Sequence, residues 1–248
     1  MGADEKLRQA VSKDAVLAEA LLVHEPDARV LSRAKEVRDR YYGSTITYSP
    51  KVFIPLTQLC RDVCHYCTFA KTPSQLDALY IKADAVLETV TLGAQAGCRE
   101  VLLTLGEKPE LRYKAAREWL LAAGFDSTVD YVAHVAQRIL NETGLLPHIN
   151  AGTLSRGELI KLRGVSASMG IMLESGAARL CERGGPHFGS PDKRPFRRWL
   201  TLARAGVLKI PMTTGLLVGI GETRTERLRD LQNICRLHER YGHIQEVI

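Results

Sequence analysis

Three cysteines are the residues of this chain best placed to do chemistry. They fall in Cys60-Arg-Asp-Val-Cys64-His-Tyr-Cys67, a C-x3-C-x2-C spacing directly after a β-rich run. The other three, Cys98, Cys181 and Cys235, are scattered. A tight cluster outside a disulfide scaffold reads as metal binding or redox chemistry. Three thiolates this close can wrap one face of an iron–sulfur cluster. Such clusters normally take four cysteines, so three would leave one iron open, and an open position is how a metal site takes up a substrate or reagent. Two alternatives stand beside this one. Three cysteines with His65 could hold structural zinc, although paired C-x-x-C knuckles are missing, or the thiols could be unrelated buried side chains.

The elements that must position the cluster alternate between strand and helix. Candidate strands are Lys51–Thr57, Glu100–Leu105, Leu146–Asn150, Ala167–Leu173, Ile210–Val218 and His243–Ile248. Several are almost continuously apolar, as expected when both faces are covered. Ser127 opens a helix that ends near Gly144. Ser155 with Glu158, and Thr223 with Glu226, form capping-box patterns. Ser190-Pro191 reads as N-cap and first helical residue, with Gly206 as the stop. Residues 4–42 read as two helices broken around Pro26. Alternation of this kind implies parallel strands joined by right-handed crossovers. Both an open doubly wound sheet and a partial barrel fit. A full barrel of eight strands needs two more than the sequence offers. The chain stops inside its sixth candidate strand, so a truncated or split chain is expected. The cysteine loop follows the first strand at its C-terminal end, the edge where parallel α/β folds place their chemistry.

Composition narrows the classes. The 248 residues are 45% hydrophobic and 25% charged, ordinary for a folded globular domain. No apolar run approaches the ~20 residues that span a bilayer, so no membrane partner is expected. The segment Met1 to Lys13 is charged and has no apolar signal-peptide core, which makes the cytoplasm the expected location. The net charge of +6 is spread along the chain without blocks of like charge. That pattern favours a solvated surface over a nucleic-acid footprint. A metal-stabilised nucleic-acid module is the remote alternative. It would bind zinc, with affinity falling steeply in salt.

Three further strand ends carry motifs. Leu105-Gly106-Glu107 closes the second strand, where glycine allows close backbone approach and a carboxylate suits an ammonium group. Met172-Leu173-Glu174-Ser175 closes the fourth. Gly215-Leu-Leu217-Val-Gly219-Ile-Gly221-Glu222 runs through the fifth and lacks the lysine and spacing of a phosphate loop. Each has a plain alternative as a turn or a helix start, but their order along successive strands is mutually consistent.

With its aromatic residue before the last cysteine, the cluster resembles that of the radical S-adenosylmethionine (SAM) superfamily. The resemblance implies a partial, six-stranded (β/α) barrel preceded by N-terminal helices, with residues 1–44 an extension and 45–248 the core. It implies a [4Fe-4S] cluster on Cys60, Cys64 and Cys67, whose open iron binds SAM. Tyr66, Gly106, Glu107, Glu174, Gly215, Leu217, Gly219 and Glu222 are then expected at the cofactor: Glu107 at its amino group, Glu174 at its ribose, and the glycine-rich strand at its adenine. An electron from the cluster would cleave SAM to a 5′-deoxyadenosyl radical that abstracts hydrogen from a small-molecule substrate, so an electron donor is needed.

The wording is closest to one family. The stretches KVFIPLTQLCRDVCHYCTFAKTP (Lys51–Pro73), TLGEKPE, GFDSTVDYV, TGLLPHINAG, SMGIMLE, GSPDK, TTGLLVGIGET and GHIQEVI resemble the FO synthase family, makers of the deazaflavin chromophore of coenzyme F(420). That family works in two radical SAM halves, fused or separate. One joins a tyrosine-derived 4-hydroxybenzyl group to 5-amino-6-ribitylaminouracil. The other cyclises the adduct with release of ammonia, and this chain resembles the cyclising half. Its partner would be the tyrosine-joining half. The tyrosine-joining activity itself, a menaquinone-pathway enzyme and biotin synthase are the nearest alternatives. For the substrate, the polar turn with His187, Ser190, Asp192 and Lys193 offers candidates, and Asp62 and His65 lie in the cluster loop.

Overall fold

The computed structural model describes residues 27–248, so the first of the two expected N-terminal helices lies outside the described residues. In helix α1 (Asp27–Tyr42), no side chain of residues 28–42 is buried. Six strands follow, β1 (Lys51–Pro55), β2 (Glu100–Thr104), β3 (Leu146–Asn150), β4 (Ser168–Gly170), β5 (Met212–Thr214) and β6 (Ile244–Val247). They form one sheet in the order 1-2-3-4-5-6, and every pair is parallel. Between them run α2 (Ala83–Gln95), α3 (Lys114–Ala122), α4 (Thr128–Thr143), α5 (Arg156–Arg163), α6 (Pro195–Val207) and α7 (Arg224–Tyr241). This is the expected partial (β/α)6 barrel.

Side-chain alternation explains the layers. Val52 and Ile54 of β1, Val101 and Leu103 of β2, and Ile149 of β3 point outward and pack with Val90 of α2 and Val132, Val135 and Ile139 of α4 into one apolar layer. Lys51, Phe53, Glu100, Leu102, His148 and Asn150, the alternate residues, therefore face the inside. A stacked Tyr80–Trp119 pair, with ring centroids 4.5 Å apart, closes the layer beside Tyr131.

The capping signals operate as expected. Ser127 Oγ accepts the Asp130 amide, and Gly144 ends α4 in the left-handed region at φ 71°. Both capping boxes form, at Ser155/Glu158 and Thr223/Glu226.

Two expectations need correction. Ser190-Pro191 opens only a short 3-10 turn over Pro191–Lys193, and the helix starts at Pro195. The Ser190 hydroxyl accepts the Val63 amide at 3.0 Å instead of capping, so it serves the cysteine loop. Gly206 does not stop α6, which runs to Val207. A Cβ at 206 would stand 2.6 Å from the Tyr241 ring, so this glycine is a packing residue where α6 meets α7.

Strands β4 and β5 are shorter than their apolar runs. Glu174 takes φ 65°, which a residue with a Cβ rarely adopts, and bends the chain out of the ladder. Pairing resumes beyond the bend, where the Glu174 amide donates to the Gly215 carbonyl and Leu217 donates back to Glu174, both at 2.9 Å.

Candidate active site

The carboxyl ends of the strands surround one cavity of about 230 Å³, lined by Cys60, Cys64, Tyr66 and Cys67 from the β1 loop, Thr104, Gly106 and Glu107 from β2, Asn150 and Gly152 from β3, Met172 and Glu174 from β4, and Lys193 and Arg198 beyond. Four strand ends and the segment from Lys193 to Arg198 thus meet at one edge of the sheet, because parallel strands all present the same end there.

The cysteine loop is pinned to its neighbours by backbone bonds. Arg61 N–H donates to the Glu107 carbonyl at 2.8 Å, and His65 N–H to the Pro186 carbonyl at 2.9 Å. Gly106 is required by this contact, since a Cβ there would strike the Leu59 carbonyl oxygen and stand 2.9 Å from Cys60 Cβ. Two amides aim at sulfur: Glu107 N–H lies 3.2 Å from Cys60 Sγ, and Ala70 N–H 3.4 Å from Cys67 Sγ. Ser190 Oγ is 3.6 Å from Cys64 Sγ. Hydrogen bonds to sulfur are a principal means of tuning an iron–sulfur cluster.

The donor set fits such a cluster better than a single ion. Around one tetrahedral zinc, thiolates ~2.3 Å from the metal sit close together. Among the described residues, the metal-ligating groups whose atoms all lie within 4.8 Å of one another form a carboxylate trio that contains no thiol. The three thiols do not close into such a compact single-ion group among the described residues. Burial pushes the Cys60 thiol up to about 12 and raises that of Cys64. Their thiolates thus need a cationic group at the site, which coordinated iron would be.

The carboxylates are held differently. Glu107 is 5% exposed and accepts the Thr153 amide at 2.5 Å and the Thr153 hydroxyl, both on Oε1. Burial raises its pKa against the opposing charge of Arg198, whose Nη1 is 3.6 Å from Oε2. Glu174 is the most heavily partnered group. Tyr66 Oη and Lys193 Nζ donate to it, His187 Nε2 is 3.1 Å from Oε2, and Arg198 Nη2 is 3.5 Å from Oε1. Burial alone would raise its pKa. The His187 hydrogen bond and the charges of Lys193 and Arg198 outweigh burial and hold it well below the ordinary range. Asp62, in the loop itself and on the cavity wall, and Asp192 behind it are almost fully buried, with the Asp192 amide donating to Asp62 at 3.2 Å.

Of the expected site residues, Cys60, Asp62, Cys64, Cys67, Tyr66, Gly106, Glu107, Glu174 and Lys193 line the cavity. His187, Ser190 and Asp192 stand immediately behind it, on Glu174, Cys64 and Asp62 respectively. His65 is exposed. Gly215, Leu217, Gly219 and Glu222 are not among the lining residues. Gly215 packs under Met172 Sδ, and the Glu222 carboxylate turns back on its own loop to accept the Gly219 and Ile220 amides and Arg227 Nη1 at 2.8 Å. Arg198 went unnoticed in the sequence. An arginine within an amphipathic helix gives no local sign of burial, yet it is 4% exposed and joins Glu107, Glu174 and the Met172 carbonyl. Asn150 and Thr153, beside Gly152, were equally silent.

No family model matches the chain. It is 51% identical over 203 residues to the 7,8-didemethyl-8-hydroxy-5-deazariboflavin synthase of Methanopyrus kandleri, covering 82% of this chain and 61% of that protein. It is 53% identical over 208 residues to the FO synthase of Mycobacterium tuberculosis, covering 82% of this chain and 24% of that protein. Among solved structures, the fold matches the FeFe-hydrogenase maturase HydG from Carboxydothermus hydrogenoformans with a TM-score of 0.75 at 18% identity, over 98% of this chain and 55% of that one. Methylornithine synthase (PylB) matches with a TM-score of 0.63 at 21% identity, over 88% and 59%. The chain thus spans about three-fifths of one curated relative and a quarter of the other. Within that span it is similar in sequence to the FO synthases, and its partial barrel has the fold of HydG and PylB.

Proposed function

We propose that the chain is a radical SAM enzyme of deazaflavin synthesis and carries the cyclising reaction. It would convert the adduct of a 4-hydroxybenzyl group and ribitylaminouracil to the deazaflavin FO, with release of ammonia. The observation that carries this reading is the cavity itself: three thiols, Glu107, Glu174 and Arg198 around one opening, in a chain 51% identical to a protein named for that product. The relative's name favours the cyclising over the tyrosine-joining reaction.

In this reading Cys60, Cys64 and Cys67 hold a [4Fe-4S] cluster, and the amides of Glu107 and Ala70 steady its thiolates. When bound, cluster and SAM supply the electron and the deoxyadenosyl radical that takes hydrogen from the substrate. Glu107, fixed by Thr153, would hold the cofactor's amino group, and Glu174, fixed by Lys193 and His187, would hold its ribose hydroxyls. Tyr66, which donates to Glu174, would link the cysteine loop to that ribose site. Arg198 opposes the effect of burial on both carboxylates and holds them in place. The Gly215–Glu222 loop supports Glu174 through the Leu217 amide. Residues 45–248 act as the core and residues 1–44 as an extension. The chain works in the reducing cytoplasm with an electron donor and the tyrosine-joining half, fused or separate.

The test is a single anaerobic reaction of the chain reconstituted with iron and sulfide, given SAM, reductant and the adduct, and read by LC–MS. Deazaflavin alongside 5′-deoxyadenosine is the expected result. Deoxyadenosine without deazaflavin would refute the substrate assignment, and product formation from tyrosine with ribitylaminouracil would move the chain to the other half.

A further inference from the structure

The stretch TGLLPHINAG contains a histidine that neither the cluster nor the cofactor uses. His148 lies on the inner face of β3, one register step below Asn150 and paired with Leu102 and Ser168 on the flanking strands. It is 8% exposed. Its Nδ1 is 2.7 Å from Ser168 Oγ, which fixes the ring. Its Nε2 lies over Gly170, where a Cβ would come within 2.9 Å of it and 3.7 Å of Asn150 Cγ. The missing side chain at Gly170 therefore leaves the space that His148 and Asn150 share. Asn150 and Thr104 line the cysteine cavity directly above. Among the described residues, Nε2 has no hydrogen-bond partner, and it is not among the sealed, unsatisfied polar atoms either.

Burial, reinforced by Lys51 of β1 and opposed by Glu100 of β2 and Glu246 of β6, holds the ring below its ordinary pKa. A neutral imidazole anchored through one nitrogen presents one specific hydrogen-bonding position at the other.

We infer that His148 is a substrate-positioning residue, whose Nε2 hydrogen-bonds the polar end of a substrate reaching from the cysteine cavity down into the barrel. The assignment rests on the function proposed above. A ribityl-bearing uracil adduct is rich in hydroxyl and N–H groups, and a group of this kind would meet Nε2 below Asn150.

Two substitutions separate the nitrogens. His148→Asn places an amide near the Nδ1 position and keeps the Ser168 bond. His148→Gln places one near Nε2 and keeps the inner contact. Loss of one hydrogen bond of ordinary strength corresponds to about tenfold in affinity. With the reconstituted full chain, His148→Asn is expected to raise the KM for the adduct about tenfold, with a smaller change in kcat. His148→Gln should stay within about threefold of the starting protein. Iron content and melting temperature report folding, and Ser168→Ala, which frees the ring without removing it, should give an intermediate KM. An unchanged KM in His148→Asn, or equal losses in the two variants, would overturn the assignment. Should the unsubstituted chain fail to turn over the adduct, the proposed function falls and this assignment with it. Turnover with an unchanged KM in His148→Asn removes His148 alone.

Discussion

Replacing Arg198 with methionine tests whether one buried cation holds the site together. The side chain is 4% exposed and touches four groups: the Met172 carbonyl at 2.6 Å, the Asp192 carbonyl at 3.3 Å, Glu174 at 3.5 Å and Glu107 at 3.6 Å. Methionine keeps much of the volume but leaves two buried carboxylates facing each other with less compensation. Breaking a buried pair by removing one partner costs about 3–5 kcal/mol. For a chain of this size each kcal/mol moves the melting temperature by about 2–4 °C, so a fall of roughly 6–20 °C is expected. Adding Glu107→Gln to Arg198→Met should recover part of the loss, because it removes one of the stranded charges. Arg198→Lys should fall between, since an ammonium keeps the charge but cannot fork between the two acids. The assay is thermal unfolding followed by circular dichroism at pH 7, with Lys114→Met as a surface control. Lys114 pairs only with exposed Glu118, and such pairs contribute ~0–1 kcal/mol. A melting temperature for Arg198→Met within about 2 °C of the parent would refute the view that Arg198 balances the site.

Gly106→Ala should displace the cysteine loop, because the new methyl strikes the Leu59 carbonyl. Overpacking of this kind costs about 1–3 kcal/mol, and iron bound per chain after reconstitution should fall in parallel. Glu174 lies below its ordinary 4.5 in the folded chain and returns to it on unfolding. The unfolded chain then binds more protons below that value, so the stability Glu174 contributes is present above pH ~4.5 and is lost as pH falls through the window beneath it. Urea titrations at pH 7 and pH 4 should therefore show the penalty of Glu174→Gln shrinking at the lower pH.

Much of the fold was legible because its signals are local. The capping residues Ser127, Ser155 and Thr223 bond to amides within three residues, so their spacing is visible in one dimension. Apolar runs marked all six strands, but their ends were overrun. Nothing in Met172-Leu173-Glu174 announces that Glu174 will turn left-handed, since the donors that compensate the strain, Tyr66, His187 and Lys193, come from elsewhere in the chain. Ser190 was misread for the same reason, its acceptor role being claimed by Val63, far away in sequence.

Cysteine spacing, the order of strand and helix, and the chemistry that three thiolates can support are all readable along the chain, because each depends on residue type at short range. Which charges share a cavity depends on contacts between segments distant along the chain. Glu107 and Glu174 became one site because β2 and β4, with β3 between them, end at the same edge of the parallel sheet and Arg198 is drawn in between. Glu222, equally acidic and equally well placed in its motif, was turned away by the amides of its own loop. Burial and opposing charge set what a carboxylate can do, and both are fixed by neighbours distant along the chain.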